Sequence, residues 1–129
     1  MKKRIIIAIT FFITALLCYY LIAIRPIDDA WNYCVSVMSG KTIPKPDEEI
    51  SVFYPSAPKR IQNVATVDLK ICRYFIRRWG NQIKMTVKYW QEFYDKDEVL
   101  LWHTSCASQW TFTKVDGTWI LTDIDGIIA

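Results

Sequence analysis

Two residues in the C-terminal half have side chains that could serve as a nucleophile and its base. His103 and Cys106 stand three positions apart, and an imidazole can deprotonate a nearby thiol for nucleophilic attack. In a regular strand, however, residues three positions apart point to opposite faces of the sheet. The two side chains therefore do not form a dyad unless a bulge lies between them, and the sequence predicts no catalytic residues.

Asp123 is the second candidate for acid–base chemistry. Pairing the chain around Asp116-Gly117 puts Asp123 opposite Trp110, on a face rich in aromatic side chains. A carboxylate buried on such a face is typical of a general base or a ligand anchor, and the alternative is a place at the sheet margin, in water or beside a basic residue. The residues predicted for a ligand site on this face are Asp123, Trp102, Trp110, Phe112 and Trp119.

Four cysteines, Cys18, Cys34, Cys72 and Cys106, could in principle bind a metal or form disulfides. Their spacing does not resemble a metal site, which would show ligands in pairs a few residues apart, and we predict no metal and no other cofactor. An oxidising compartment would permit one disulfide, from Cys72 to Cys106 or from Cys34 to either of them. Three buried thiols are the alternative.

Residues 5–24 form an uncharged apolar stretch that follows three basic residues. As a helix rising about 1.5 Å per residue, the stretch would span about 30 Å, the thickness of the hydrocarbon core of a bilayer. It is longer than the apolar core of a cleaved signal and no small-residue cleavage site follows it, which favours a permanent signal-anchor held in the lipid bilayer. A cleaved signal and a lipoprotein attached at Cys18 are the alternatives.

The basic residues at the N-terminus predict the orientation of this anchor. Lys2, Lys3 and Arg4 precede the span, and such residues are retained on the cytoplasmic side. We therefore expect a cytoplasmic tail at residues 1–4, a single span of the cytoplasmic membrane at 5–25, and an extracytoplasmic domain at 26–129. Without those three residues the basic and acidic side chains balance, so the net charge of +3 is no evidence for a nucleic-acid partner.

The basic residues of the outer domain are concentrated in one segment. This concentration would suit phospholipid head groups or an acidic partner, and cross-strand pairing with solvated strand faces is the alternative. The residues in question are Lys59, Arg60, Lys70, Arg73, Arg77, Arg78, Lys84 and Lys88.

The periodicity of the outer domain predicts an α+β fold, with one amphipathic helix packed on a curved antiparallel sheet of about four strands. Apolar residues recur at three and four positions over residues 27–40, and either the sheet or the membrane surface would cover this apolar stripe. Four prolines between 42 and 60 leave room only for a short edge strand at 50–54. From residue 65 onward the period is two, although residues 65–79 also fit a helix.

Two short segments predict hairpin turns. Asp116-Gly117 is a strong type I′ signal and would pair Phe112 with Leu121 and Lys114 with Trp119. Gly80-Asn81 is weaker, because a two-residue loop there would set Arg73 opposite Lys88 and Arg77 opposite Lys84. We therefore expect a shifted register or a bulge near Arg73.

The run from Lys114 to Ile124, with its turn, tryptophan and isoleucine-rich strand, resembles the carboxyl half of NTF2-like domains. The resemblance covers the last third of the chain, and such domains usually have more helix before the sheet than residues 27–40 provide. It implies a cone with an aromatic pocket, which some members use for binding or assembly and others for acid–base chemistry. Membrane-anchored members in bacterial secretion and conjugation machinery share the layout of short tail, single span and outer domain.

These features predict a single-pass envelope protein whose outer domain binds another envelope protein without catalysis of its own. A small pocket enzyme that uses Asp123 as its base is one alternative. An immunity or inhibitor protein that blocks a toxin or phage protein at the membrane is the other.

Overall fold

The computed structural model describes residues 1–128 and has an α+β fold, with helical segments first and an antiparallel sheet after them. The sheet is open and its strand order follows the sequence, so its first and last strands are its edges. The elements are α1 (Lys2–Tyr19), a π turn (Tyr20–Ile24), a 3₁₀ helix (Arg25–Ile27), α2 (Asp28–Met38), a second 3₁₀ helix (Glu49–Phe53), β1 (Thr66–Trp79), β2 (Gln82–Tyr94), β3 (Leu100–Val115) and β4 (Thr118–Ile128).

No residue of α1 is buried within the protein. Among the described residues, Lys2–Met38 is the one helical stretch long and apolar enough to cross a membrane, a property that a signal sequence near the N-terminus shares. An apolar helix without buried residues is compatible with contact to a lipid bilayer.

The helix continues past Pro26 through a local change in winding. Proline has no N–H, so the carbonyl of Ile22 loses the partner that residue 26 would supply in an α-helix. The wider π turn ends at Ile24, two residues before the proline, and a guanidinium nitrogen of Arg78 donates to the Ile22 carbonyl at 3.0 Å. A side chain from β1 thus replaces the missing backbone donor.

The amphipathic helix α2 packs on the sheet, as its periodicity predicts. Its buried residues Cys34, Val37 and Met38 face the inner side of the sheet. Three aromatic rings connect the helices to the sheet. The ring centroid of Trp110 in β3 lies 5.7 Å from that of Trp31 in α2 and 5.9 Å from that of Phe53 in the second 3₁₀ helix. Each fully buried apolar side chain contributes about 1.5–3 kcal/mol. Those of the sheet include Ile83, Met85, Val87, Trp110 and Phe112.

The expected edge strand at 50–54 is wrong, because the chain forms the second 3₁₀ helix there. Ile50 and Phe53 are both buried, and residues three apart share one side of a 3₁₀ helix but opposite faces of a strand. Gln91 of β2 fixes this helix in place, since its side-chain nitrogen donates to the carbonyls of Met38 at 2.8 Å and Phe53 at 2.9 Å.

Residues 66–79 form a strand, so the helical alternative for this segment is wrong. The Gly80-Asn81 turn has two residues, and Arg77 does stand opposite Lys84. A bulge between Tyr74 and Arg77 then shifts the register, so that Arg73 pairs with Val87 instead of Lys88. We expect either a shifted register or a bulge near Arg73 to separate like charges, and the chain forms the bulge.

The register of β3 with β4 is partly as predicted. Phe112 pairs with Leu121 and Lys114 with Trp119, but a second bulge follows and sets Asp123 opposite Thr111. The expected pairing of Asp123 with Trp110 is therefore wrong. One extra residue in a strand turns every later side chain to the other face.

Candidate functional site

The five residues that the sequence predicts for a ligand site are not all brought together. Trp110 and Phe112 are fully buried in the core with ring centroids 6.3 Å apart, whereas Asp123 is exposed. Trp102 is half-buried, with the guanidinium of Arg60 over its ring at 5.5 Å. Trp119 lines a cleft beside α2.

The potential dyad is absent for the predicted reason. His103 is exposed and Cys106 is buried, on opposite faces of β3. Cys72 is also exposed, which makes the expectation of three buried thiols wrong. A Cys72 to Cys106 disulfide across the sheet is excluded as well, because the two side chains leave the sheet on opposite sides.

A cleft of about 670 Å³ opens between α2, the second 3₁₀ helix and β4. Its apolar part includes Ala30, Ile50 and Leu121. This volume is within the range of small-molecule and peptide sites. The remaining lining residues are Asp29, Tyr33, Cys34, Asp47, Glu48, Glu49, Thr118, Trp119, Ile120 and Thr122.

The charged side chains that line this cleft are all acidic. Asp29 comes from α2, Asp47 and Glu48 from the turn before the second 3₁₀ helix, and Glu49 is the first residue of that helix. Carboxylates near the N-terminus of a helix are stabilised by its partial positive charge, which explains their position in the sequence. The cleft therefore presents a negative potential to whatever enters it.

Tyr33 and Glu48 give this acidic wall a fixed geometry. The Tyr33 hydroxyl donates to Oε2 of Glu48 at 2.6 Å, and the backbone N–H of Lys45 donates to Oε1 at 3.3 Å. The hydrogen bond to Glu48, assisted by partial desolvation, raises the pKa of Tyr33 to about 12. Tyr33 therefore stays a neutral hydrogen-bond donor at physiological pH.

The edge of β4 forms the opposite wall. Five consecutive residues, 118–122, line the cleft, so side chains of both faces and the backbone edge between them border it. Ile120 is 44% exposed there. Trp119 is held in place by the guanidinium of Arg78, which lies 5.1 Å from the centre of its ring.

Cys34 lies at the cleft without being a reactive nucleophile. Burial, with a smaller contribution from the charge of Glu48, raises the pKa of this thiol to about 12. The thiolate is the reactive form of cysteine, so the thiol of Cys34 is inert near neutral pH. Within residues 1–128, no three or more His, Cys, Asp and Glu side chains are grouped as metal ligands would be.

We do not predict the acidic wall from the sequence, because the prolines of residues 42–60 indicate only loop and strand there. The available signal is the run Asp47-Glu48-Glu49 directly before Ile50, which is typical of the first turn of a helix. Nothing in the sequence pairs this run with Tyr33, because that contact depends on how α2 and the 3₁₀ helix pack.

No protein-family model, curated protein or solved structure matches this chain. The likeness of the C-terminal strands to NTF2-like domains stays a prediction.

Proposed function

We propose that this chain is a single-pass protein of the cytoplasmic membrane whose outer domain binds another envelope protein in the acidic cleft. The observation that carries the proposal is the cleft itself, which combines an apolar floor, four carboxylates and an unpaired strand edge. Apolar pockets with a few fixed polar groups are the usual form of a binding site.

The way α1 joins the domain supports a permanent anchor over a cleaved signal. Ala23 is 3% exposed and Ile27 is fully buried. The carbonyl of Ile22 accepts a hydrogen bond from Arg78, and the hydroxyl of Tyr19 donates to the carbonyl of Ile76 at 2.7 Å. Cleavage after Ala23 would remove both hydrogen bonds, so these residues serve the folded domain as well as the membrane.

The chemistry of the cleft selects an extended segment with basic and apolar side chains. An edge strand offers unpaired N–H and C=O groups to a new strand. Basic side chains of that strand would meet Asp47 and Glu49, and apolar side chains would contact Ile50 and Ile120. An acidic segment would be repelled, which gives the site its selectivity.

A photo-crosslinking amino acid in the full-length chain tests this assignment in the membrane of the expressing cells. At Ile120 it stands at the mouth of the cleft, and at the matched position Lys88 it stands exposed on the outer face of β2. We expect one defined adduct from position 120 and none from position 88. The same adduct from both positions, or none from 120, would contradict the proposal.

The second part of the crosslinking experiment neutralises two carboxylates of the cleft. Asp47→Asn with Glu49→Gln should lower the yield of the adduct about tenfold, which corresponds to about 1.4 kcal/mol of binding free energy. The matched control is Asp97→Asn with Glu98→Gln, an equal loss of charge in the exposed turn between β2 and β3. A resident envelope protein in the adduct supports assembly, whereas a toxin or phage protein favours an inhibitor role.

A further inference from the structure

Three aromatic side chains of β1 are exposed where this strand passes the end of α1. Tyr74 is 41%, Phe75 74% and Trp79 75% exposed. The rings of Tyr74 and Phe75 contact each other edge to face, with centroids 5.3 Å apart. We propose that these residues, here called the aromatic edge, are embedded in the headgroup layer of the membrane that α1 enters. The inference rests on the anchor of the proposed function and is independent of the cleft.

Two hydrogen bonds fix the height of the aromatic edge relative to the bilayer. The hydroxyl of Tyr19 donates to the carbonyl of Ile76 at 2.7 Å, and Arg78 donates to the carbonyl of Ile22 at 3.0 Å. Both partners on the helix belong to the apolar stretch that ends at Ile24. At about 1.5 Å per residue they lie about 3–8 Å before its end. Tyrosine and tryptophan concentrate at this depth, between hydrocarbon and water.

Side chains of the protein satisfy backbone carbonyl groups in and just after β1 that would otherwise need water. An edge strand leaves carbonyl groups unpaired, and such groups are costly near hydrocarbon. The carbonyl of Phe75 accepts from Arg77 at 3.1 Å, that of Ile76 from Tyr19, and that of Gly80 from Arg78 at 2.9 Å. Two carbonyls of the bulge and one of the following turn are thus satisfied by side chains of the protein.

The backbone of Phe75 points to the same conclusion. Its φ of 53° lies in the left-handed region, where glycine or asparagine is expected and a bulky side chain is strained. The ring gains little inside the protein, since most of its surface is exposed. The bulge directs this large apolar ring away from the domain. Contact between the ring and lipid explains why a strained backbone position carries phenylalanine.

The charge around the aromatic edge suits the same surface. Arg25 follows the apolar stretch, and Arg77 stands on β1 two positions from both Phe75 and Trp79. Both arginines are exposed. Long basic side chains pack their stems against apolar groups and present the charge to anionic head groups.

Lipid quenching of a fluorescent label in full-length protein reconstituted into nanodiscs tests the proposal. All samples contain Cys72→Ser, which removes the exposed native thiol. An environment-sensitive dye is attached to native Cys18 in one sample. In two further samples, which also carry Cys18→Ser, it is attached to Phe75→Cys or to Val99→Cys. Val99 is the matched control because it is also apolar and exposed but lies in the turn after β2. At 3.3 Å per residue this turn is about 30 Å along the sheet from the level of Phe75.

We expect doxyl-labelled lipids to quench the dye at positions 18 and 75, with at least about twofold stronger quenching at 75 than at 99. Quenching at position 18 without quenching at position 75 would mean that α1 lies in the membrane but the aromatic edge does not. Equal quenching at 75 and 99 would also overturn the proposal, since the whole domain would then lie on the membrane. No quenching at 18 would overturn the anchor together with the edge, whereas the crosslinking at Ile120 tests the cleft separately.

Discussion

Arg78 donates a hydrogen bond at 3.0 Å to the carbonyl of Ile22, which Pro26 leaves without its α-helical partner. The same side chain donates to the carbonyl of Gly80 at 2.9 Å and covers the ring of Trp119. One residue of β1 thus connects the end of the apolar helix, the first hairpin turn and the wall of the cleft.

Replacing this side chain should destabilise the fold. Arg78→Met keeps the apolar stem but removes the donors, and a carbonyl left unsatisfied costs about 1–3 kcal/mol. Urea unfolding of the full-length chain in detergent, followed by tryptophan fluorescence, measures the loss. Arg60→Met is the control, because Arg60 is exposed and loses a cation–π contact worth about 0.5–1 kcal/mol. Equal losses in the two variants would argue against a bridging role for Arg78.

Gln91 should be among the most sensitive polar residues of the chain. It is 3% exposed, and Gln91→Leu would leave the carbonyls of Met38 and Phe53 without their donor. We expect a loss of about 2–4 kcal/mol in the free energy of unfolding. Gln82→Leu, at an exposed position of the same strand, should change it by less than about 0.5 kcal/mol. A small effect of Gln91→Leu would mean that water replaces the lost donor.

The Tyr33 to Glu48 hydrogen bond should stabilise the fold in a pH-dependent way. The pKa of Tyr33 is about 12 in the folded chain and about 10 in an unfolded one. Its contribution is therefore complete below pH 10, and it is lost as the pH rises toward 12, because the unfolded state releases the proton first. The difference in unfolding free energy between the native chain and Tyr33→Phe should be constant from pH 7 to 9 and smaller at pH 11. If this difference in unfolding free energy were the same at pH 11 as at pH 7, the Tyr33 to Glu48 hydrogen bond would not be what stabilises the fold.

The thiols should differ sharply in reactivity. Cys34 is 1% exposed, with a pKa of about 12, so about one molecule in ten thousand carries its thiolate at pH 8. Cys72 is exposed on β1. Iodoacetamide followed by peptide mass spectrometry should therefore modify Cys72 in the native protein and Cys34 only after unfolding. Rapid modification of Cys34 in the native protein would contradict its buried position.

Much of the fold follows from local patterns in the sequence. The three- and four-residue spacing of α2, the alternation of the strands and the Asp116-Gly117 turn each report on near neighbours, and each predicts its element correctly. The opposite faces of His103 and Cys106 follow from the same alternation. The unfavourable pairing near Arg73 predicts either a shifted register or a bulge from the charges and the length of the turn alone, and the chain has the bulge.

The candidate site was less predictable because it depends on one inserted residue and one packing contact. Regular pairing around Asp116-Gly117 would set Asp123 against Trp110, but the bulge turns it outward, and no local pattern marks that bulge. The carboxylates of the cleft become a site only when the second 3₁₀ helix packs between α2 and β4. Long-range packing of this kind has no signature in a single sequence.

Labelling of Cys72 with a membrane-impermeant maleimide, in spheroplasts that express the full-length chain, tests the anchored outer domain most directly. We expect Cys72 to be labelled in intact spheroplasts. A cysteine introduced by Lys3→Cys in a Cys72→Ser background should be labelled only after the membrane is permeabilised. Labelling of position 3 in intact spheroplasts with protection of Cys72, or recovery of a soluble product that begins after residue 24, would contradict the account.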